Sequence, residues 1–225
     1  MNEESEIALE DISPIQRMDT VYRTITLLKD NLENILIHRA YADLTRSKLE
    51  AAILELEEND NVSPSAFISI SFQARPEYPT PFPPGRYGNG SYPVFYAALD
   101  ELTSTKERGH YFLKRARSDG LSRAFTVFVC KFSGHSVDIT GREKQHPELV
   151  SHDESGYPFC QNVAVNLKRS TDGLLAPSAR NRPDGACTPI FSEQSLSEPH
   201  FLYWVVFSVD GDSYKREVLG PTLVS

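Results

Sequence analysis

A long loop carries the first side chain in this sequence that could do chemistry. Residues 75–93 are rich in Pro, Gly and Tyr, and a loop of this length without a periodic pattern is typical of a binding loop or a lid. Arg86 lies in it, and a planar guanidinium is well shaped for bidentate contact with phosphate oxygens. The loop is therefore a candidate site, with a surface arginine as the simpler interpretation.

Acidic and basic side chains farther along the chain have structural interpretations as well. Ser104 and Glu107 have the spacing of a capping box, which satisfies free amide groups at a helix start. His110 lies about one helical turn after Glu107, where a contact is allowed, but the position is typical of a helix surface. A weak metal-like cluster shares one polar loop, formed by His146, His152, Asp153 and Glu154.

Cysteine usage indicates a reducing compartment. Cys130, Cys160 and Cys187 are an odd number at wide spacings without a CxxC pair, which disfavours a zinc site or a disulfide framework. Cys130 and Cys160 stand in apolar runs and are predicted to be small buried thiols.

The charge balance excludes one class of partner. The formal net charge is −8 and the pI is near 5.3, so the overall field repels phosphate backbones and nucleic acid is not expected as a partner. An anionic small molecule remains compatible, because a few arginines in a cleft set the local potential.

The acidic N-terminal segment does not resemble a signal peptide, and no apolar run reaches the ~20 residues that span a bilayer. The sequence therefore predicts a cytoplasmic protein without a membrane contact.

The elements that must position a site begin with an expected N-terminal helical hairpin. Apolar residues recur at helical spacing from residue 14 to about residue 38, and a second such stripe ends in the polar run at residues 57–60. We therefore expect a helical extension over residues 1–62. It either packs on the following domain or is a separate module for dimerisation or partner docking.

Residues 63–225 are predicted to form one mixed α+β domain. Strands and helices do not alternate regularly, and no dinucleotide fingerprint or P-loop is present, so a Rossmann fold is disfavoured. Helices are expected at residues 103–117 and 160–167. Strands are expected at residues 67–72, 94–97, 124–132 with an extension over 135–139, 174–176, 190–191, 201–209 and 214–218.

The order of several motifs resembles the RES-domain family. The resemblance covers roughly residues 67–196 and is carried by PGRYG at 84–88, PVFYAA at 93–98, Thr103 and Glu107, VDIT at 137–140, CQNVA at 160–164 and DGLLAPSAR at 172–180. Arg86, Tyr96 and Glu107 fall in the family's order, and Ser178 matches its serine. Lys106 and the Pro-rich insertion depart from the family pattern, and Arg75 in the same loop is an alternative to Arg86.

The resemblance implies a fold similar to that of ADP-ribosyltransferases and an enzyme that attacks NAD⁺ at its nicotinamide–ribose bond. Breaking that bond develops positive charge on the ribose, which a carboxylate stabilises. The implied roles are binding for Arg86 and Ser178, stacking on nicotinamide for Tyr96, and charge stabilisation for Glu107. No cofactor beyond the substrate NAD⁺ is required.

The function expected from this resemblance is that of a bacterial toxin with NAD⁺ glycohydrolase or phosphorylase activity. Transfer of ADP-ribose to a protein and a non-catalytic interaction module are the alternatives. The sequence leaves open the acceptor, a homodimer, an antitoxin or immunity partner, and delivery into other cells as an effector.

Overall fold

The computed structural model describes residues 12–26, 64–74, 79–119 and 123–219. The helices are α1 (Pro64–Phe72), α2 (Glu101–Asp119) and α3 (Tyr157–Leu167). The strands are β1 (Ile15–Thr26), β2 (Phe95–Ala98), β3 (Arg123–Asp138), β4 (Gly173–Pro177), β5 (Ala186–Ile190), β6 (Leu196–Asp210) and β7 (Ser213–Leu219). Short 3-10 helices lie at Arg142–Lys144, Pro147–Val150, Glu154–Gly156 and Glu193–Ser195. This is the mixed α+β class that the sequence predicted.

Strand β3 organises the sheet. The strand order is β1-β2-β5-β4-β3-β6-β7, and β1 pairs with β3 as well. The first part of β3 lies between β1 and β6, both antiparallel, whereas its last three residues pair in parallel with β4. Helix α3 lies in the connection between these two parallel strands, as a parallel pair requires.

Two helices are anchored on this sheet by apolar contacts. Phe112 of α2 lies in one buried cluster with Phe125 of β3 and Phe207 of β6. The buried face of α3, which includes Cys160 and Leu167, packs against the end of β3 and against β4. These clusters determine where the remaining side chains of α2 and α3 point. None of the helices in the described part of the chain is long and apolar enough to cross a membrane.

The first predicted helix is wrong over Ile15–Thr26, which form strand β1. All twelve residues pair with β3, and the segment contains β-branched residues that favour strands, among them Val21, which is fully buried. Pairing with β3 therefore outweighs the helical spacing. The rest of the predicted hairpin, including its second helix and the boundary between residues 62 and 63, lies outside the described residues.

The strand predicted at residues 67–72 is also wrong, because these residues belong to helix α1. A short apolar run does not distinguish a strand from a buried helix segment. Pro64 is the first residue of α1, a position where a missing amide hydrogen costs little. The helices predicted near residues 103–117 and 160–167 are confirmed, as are the strands predicted at 94–97, 124–139, 174–176 and 214–218, with small shifts of their ends. The strand predicted at 201–209 begins earlier, at Leu196, and the strand predicted at 190–191 shares only Ile190 with β5. The likeness to ADP-ribosyltransferases stays a prediction.

Helix α2 begins earlier than the sequence suggested, so the predicted capping box is wrong. The helix starts at Glu101, which places Ser104 within it. The first turn is held instead by Asp100, whose carboxylate accepts hydrogen bonds from the amide of Thr103 at 2.7 Å and from its hydroxyl at 2.6 Å. Glu107 consequently has no capping role.

Candidate functional site

A carboxylate and a hydroxyl meet where α2 faces the end of β4. The Ser178 hydroxyl donates to Oε1 of Glu107 at 2.7 Å. The same serine oxygen accepts the backbone amides of Arg180 at 3.1 Å and Asn181 at 3.0 Å. Because Ser178 is buried and its oxygen is held by two amides, its proton is directed at the carboxylate. The structure therefore brings two of the four predicted site residues into direct contact.

Cys187 on β5 contacts the same carboxylate oxygen. Its Sγ lies 3.6 Å from Oε1 of Glu107. Burial, and then the charge of Glu107, raise the pKa of this thiol well above its ordinary value, so it remains a protonated, weak donor. Ser178 and Cys187 both donate to Oε1 of Glu107. The other carboxylate oxygen, Oε2, accepts no hydrogen bond from a described residue. Sequence reasoning assigned Cys187 no place in the site.

Tyr96 presents its ring at the surface while its hydroxyl is held inside. The residue is 36% exposed, and its hydroxyl accepts the backbone amide of Tyr87 at 3.1 Å. Burial of the phenol raises its pKa. The turn at Gly85 comes so close that a Cβ there would lie 2.6 Å from the Tyr96 hydroxyl oxygen. A glycine is needed at this position to admit the tyrosine, and the ring face remains available for stacking.

Arg86 is buried, and its terminal nitrogens are used by the chain itself. Nη1 donates to the carbonyls of Glu148 at 3.1 Å and Leu149 at 3.2 Å, and Nη2 donates to the carbonyl of Ser151 at 2.7 Å. The guanidinium carbon lies 5.1 Å from the centre of the Tyr157 ring. Arg86 thus holds the segment at residues 148–151 against the loop that carries it. The alternative, Arg75, lies outside the described residues.

Two tyrosines link Arg86 to the carboxylate. The hydroxyls of Tyr111 and Tyr157 are 2.6 Å apart, and Tyr157 is the residue under the Arg86 guanidinium. Burial raises the pKa of Tyr111, with smaller contributions from Tyr157, Glu107 and Tyr96. The tyrosine pair therefore lies against Arg86 and is near enough to Glu107 and Tyr96 for their charges to affect the Tyr111 pKa. Tyr111 follows Glu107 by one helical turn, a spacing that could have identified it; no sequence signal singled out Tyr157.

A group of cationic and imidazole side chains adjoins the carboxylate. His110 and His152 have ring centres 5.5 Å apart, and Nη1 of Arg180 lies 3.2 Å from Nδ1 of His152. Burial lowers the pKa of His110 to about 4, and the charges of Arg180 and Lys114 add to the shift. His110 is consequently neutral at physiological pH. The sequence predicted that His110 lies on the helix surface, which is only partly right because the residue is half-buried.

The metal-like cluster suggested by the sequence does not assemble. Over the described ranges, no group of three or more His, Cys, Asp or Glu side chains is arranged to hold a metal ion. His146 instead stacks on Phe159, with ring centres 5.2 Å apart. Asp153 accepts hydrogen bonds from the amide and hydroxyl of Ser155.

Comparison with known proteins agrees with the motif order. The family model of the RES domain matches residues 63–202, a range that includes Arg86, Tyr96, Glu107 and Ser178. No curated protein matches the chain. Because the match covers more than half of the chain, this protein belongs to the RES-domain family.

Proposed function

We propose that this protein cleaves the nicotinamide–ribose bond of NAD⁺. Membership of the RES-domain family supports a toxin-like, NAD-related function at the family level. The observation that carries the specific reaction is the hydrogen bond from Ser178 to Oε1 of Glu107. It holds one carboxylate oxygen and leaves the other without a hydrogen bond to a described residue.

In the proposed reaction the C1′–N bond breaks and its electron pair leaves with neutral nicotinamide. The ribose ring then carries oxocarbenium character, which the Glu107 carboxylate stabilises through charge and through a hydrogen bond to a ribose hydroxyl. Attack by water yields ADP-ribose and a proton, and attack by phosphate yields the 1″-phosphate of ADP-ribose. No cofactor takes part in either route.

Tyr96 retains its predicted role in this proposal, whereas the roles of Ser178 and Arg86 are adjusted. The exposed ring of Tyr96 stacks on the nicotinamide. Ser178 acts by orienting Glu107 rather than by contacting phosphate. Arg86 organises the 148–151 segment with its terminal nitrogens, so contact with the pyrophosphate falls to its remaining N–H groups.

The biological setting is proposed from family membership. An enzyme that consumes NAD⁺ in the cytoplasm would act as a toxin in a bacterial cell, and an antitoxin or immunity protein would restrain it. Neither partner is part of the chemistry above, so the reaction is tested with the isolated protein.

Release of free nicotinamide from NAD⁺ tests the reaction directly. Wild type is expected to release it, and Glu107→Gln, which keeps the shape of the side chain but removes the charge, is expected to lose most of the activity. Glu101→Gln on the same helix is the matched control, because that carboxylate contacts Arg216. No release by wild type, or equal release by wild type and Glu107→Gln, would refute the proposal. ADP-ribose found on a protein would instead favour the transferase alternative.

A further inference from the structure

Arg180 follows closely after the serine that holds the reacting carboxylate, and its side chain has no ion pair with a described acidic residue. Its backbone amide donates to Ser178, the residue that holds Glu107. The side chain is half-buried, and its one contact among described side chains is with Nδ1 of His152 at 3.2 Å. An arginine can only donate, so the contact with this imidazole nitrogen gives it no negative partner. The guanidinium charge is therefore not neutralised by the contact.

Unused donors on Arg180 point to a ligand. Its Nε is inaccessible to solvent and has no hydrogen-bond partner within the described ranges. A buried donor without a partner is costly, and an arginine offers five donors in a planar fork that matches phosphate oxygens. A phosphate group cannot reach the buried Nε, but it can contact Nη2, which makes no hydrogen bond with a described residue, and so neutralise the charge.

Arg180 differs from the other cation near His110 in having no acidic partner. The charges of Arg180 and Lys114 both lower the pKa of His110, so both side chains lie near that imidazole. Lys114 is paired with Glu154, whereas Arg180 has no ion pair with a described acidic residue. The serine hydroxyls that bind Glu107 and Asp153 are neutral and offset no charge. Arg180 is therefore the cation of this group that can take an anionic ligand, even in a chain with a net charge of −8.

We propose that Arg180, supported by His152, is the main phosphate-binding residue of this site and takes the pyrophosphate of a dinucleotide. The inference rests on the proposed function for its choice of ligand. It differs from the expectation for Arg86, whose terminal nitrogens are occupied by carbonyls of the chain. Arg180 has Nη2 available, and its backbone amide is linked through Ser178 to the carboxylate that would act on the ribose.

Binding of ADP tests the phosphate subsite without any reaction, because ADP carries the pyrophosphate but no nicotinamide. Calorimetry should show about 10-fold weaker binding by Arg180→Gln than by wild type, since a charge-assisted contact is lost. Arg180→Lys should fall between them, because an ammonium keeps the charge but not the fork. Arg169→Ala, an exposed arginine outside the site, should bind like wild type. Equal affinities for wild type and Arg180→Gln, or no binding of ADP by wild type, would overturn the proposal.

Nicotinamide release separates this inference from the proposed function. With NAD⁺, Arg180→Gln should raise KM and leave kcat little changed, and with nicotinamide riboside, which has no phosphate, it should behave like wild type. If wild type releases no nicotinamide but its ADP binding depends on Arg180, the reaction is wrong and the subsite stands. If wild type is active and Arg180→Gln has an unchanged KM, the subsite is wrong and the reaction stands.

Discussion

Ser178 and Glu107 lie 71 residues apart in the chain, yet the serine hydroxyl donates to Oε1 of the glutamate at 2.7 Å. The contact joins helix α2 to the end of strand β4. The glutamate is thereby held by a residue whose own position is determined by two backbone amides. An oriented carboxylate loses little freedom when charge develops beside it, which is the condition for electrostatic catalysis.

Removal of the Ser178 hydroxyl should slow the reaction with little effect on substrate affinity. A hydrogen bond to a charged group contributes about 1.5–3 kcal/mol, so Ser178→Ala is expected to lower kcat for nicotinamide release about 10- to 100-fold. Ser170→Ala is the control, since that hydroxyl donates only to the carbonyl of Leu167. An unchanged kcat in Ser178→Ala would show that the contact does not serve catalysis.

Substitution of Gly85 should disturb the ring of Tyr96. A Cβ at this position would lie 2.6 Å from the tyrosine oxygen, so Gly85→Ala should lower the free energy of unfolding by about 1–3 kcal/mol and reduce activity. Tyr96→Phe in the same background removes the clashing oxygen and should recover part of the lost stability in thermal unfolding. Gly211→Ala, in the β6–β7 turn, has no atom near its Cβ but has a φ of +61° that alanine adopts poorly, so it should lose some stability and yet leave nicotinamide release unchanged. Full activity of Gly85→Ala would contradict the close packing of this turn.

Protonation of His110 should destabilise the fold in acid. Its folded pKa of about 4 lies below the ordinary value of 6.5, so the unfolded chain binds more protons between these pH values and stability falls as pH decreases from 6.5 to 4. His110→Gln should therefore lose less thermal stability than wild type over this window.

Titration followed by NMR measures the same property directly. The His110 imidazole should titrate near pH 4 in wild type and at higher pH in Arg180→Gln, because Arg180 is the largest charge contribution to the shift. Titration near 6.5 in wild type would contradict the buried position of this histidine.

The hydroxyls of Tyr111 and Tyr157 should behave as one unit. They are 2.6 Å apart, so removal of either one breaks the same hydrogen bond. Tyr111→Phe and Tyr157→Phe are each expected to cost about 1 kcal/mol in chemical unfolding, and the double variant should cost less than their sum. Additive effects would show that the pair is not coupled.

The sequence alone predicted the elements whose apolar residues, in their spacing along the chain, match the face that is buried in the fold. The apolar face of α3 and the long apolar run of β3 were both predicted, and both are buried as expected. The order of motifs in the chain also identified Glu107 and Ser178 as partners in one site before their contact was known. The order of motifs is informative even where a local structure prediction is wrong, because it depends on the family and not on local conformation.

Tertiary structure alone decided the elements and contacts that depend on distant partners. The residues around Val21 have helical spacing but form a strand, because β1 pairs with β3 along its whole length. The sequence near Val21 does not show that β3 is its partner. The capping role that the spacing suggested for Glu107 is wrong, because the helix begins three residues before Ser104 and the carboxylate accepts a hydrogen bond from Ser178. The sequence also did not predict that backbone carbonyls bind Arg86. Nor did it predict that Nε of Arg180 has no hydrogen-bond partner among the described residues. Hydrogen bonding and charge pairing are set by three-dimensional proximity, which the spacing of residues along a chain does not contain.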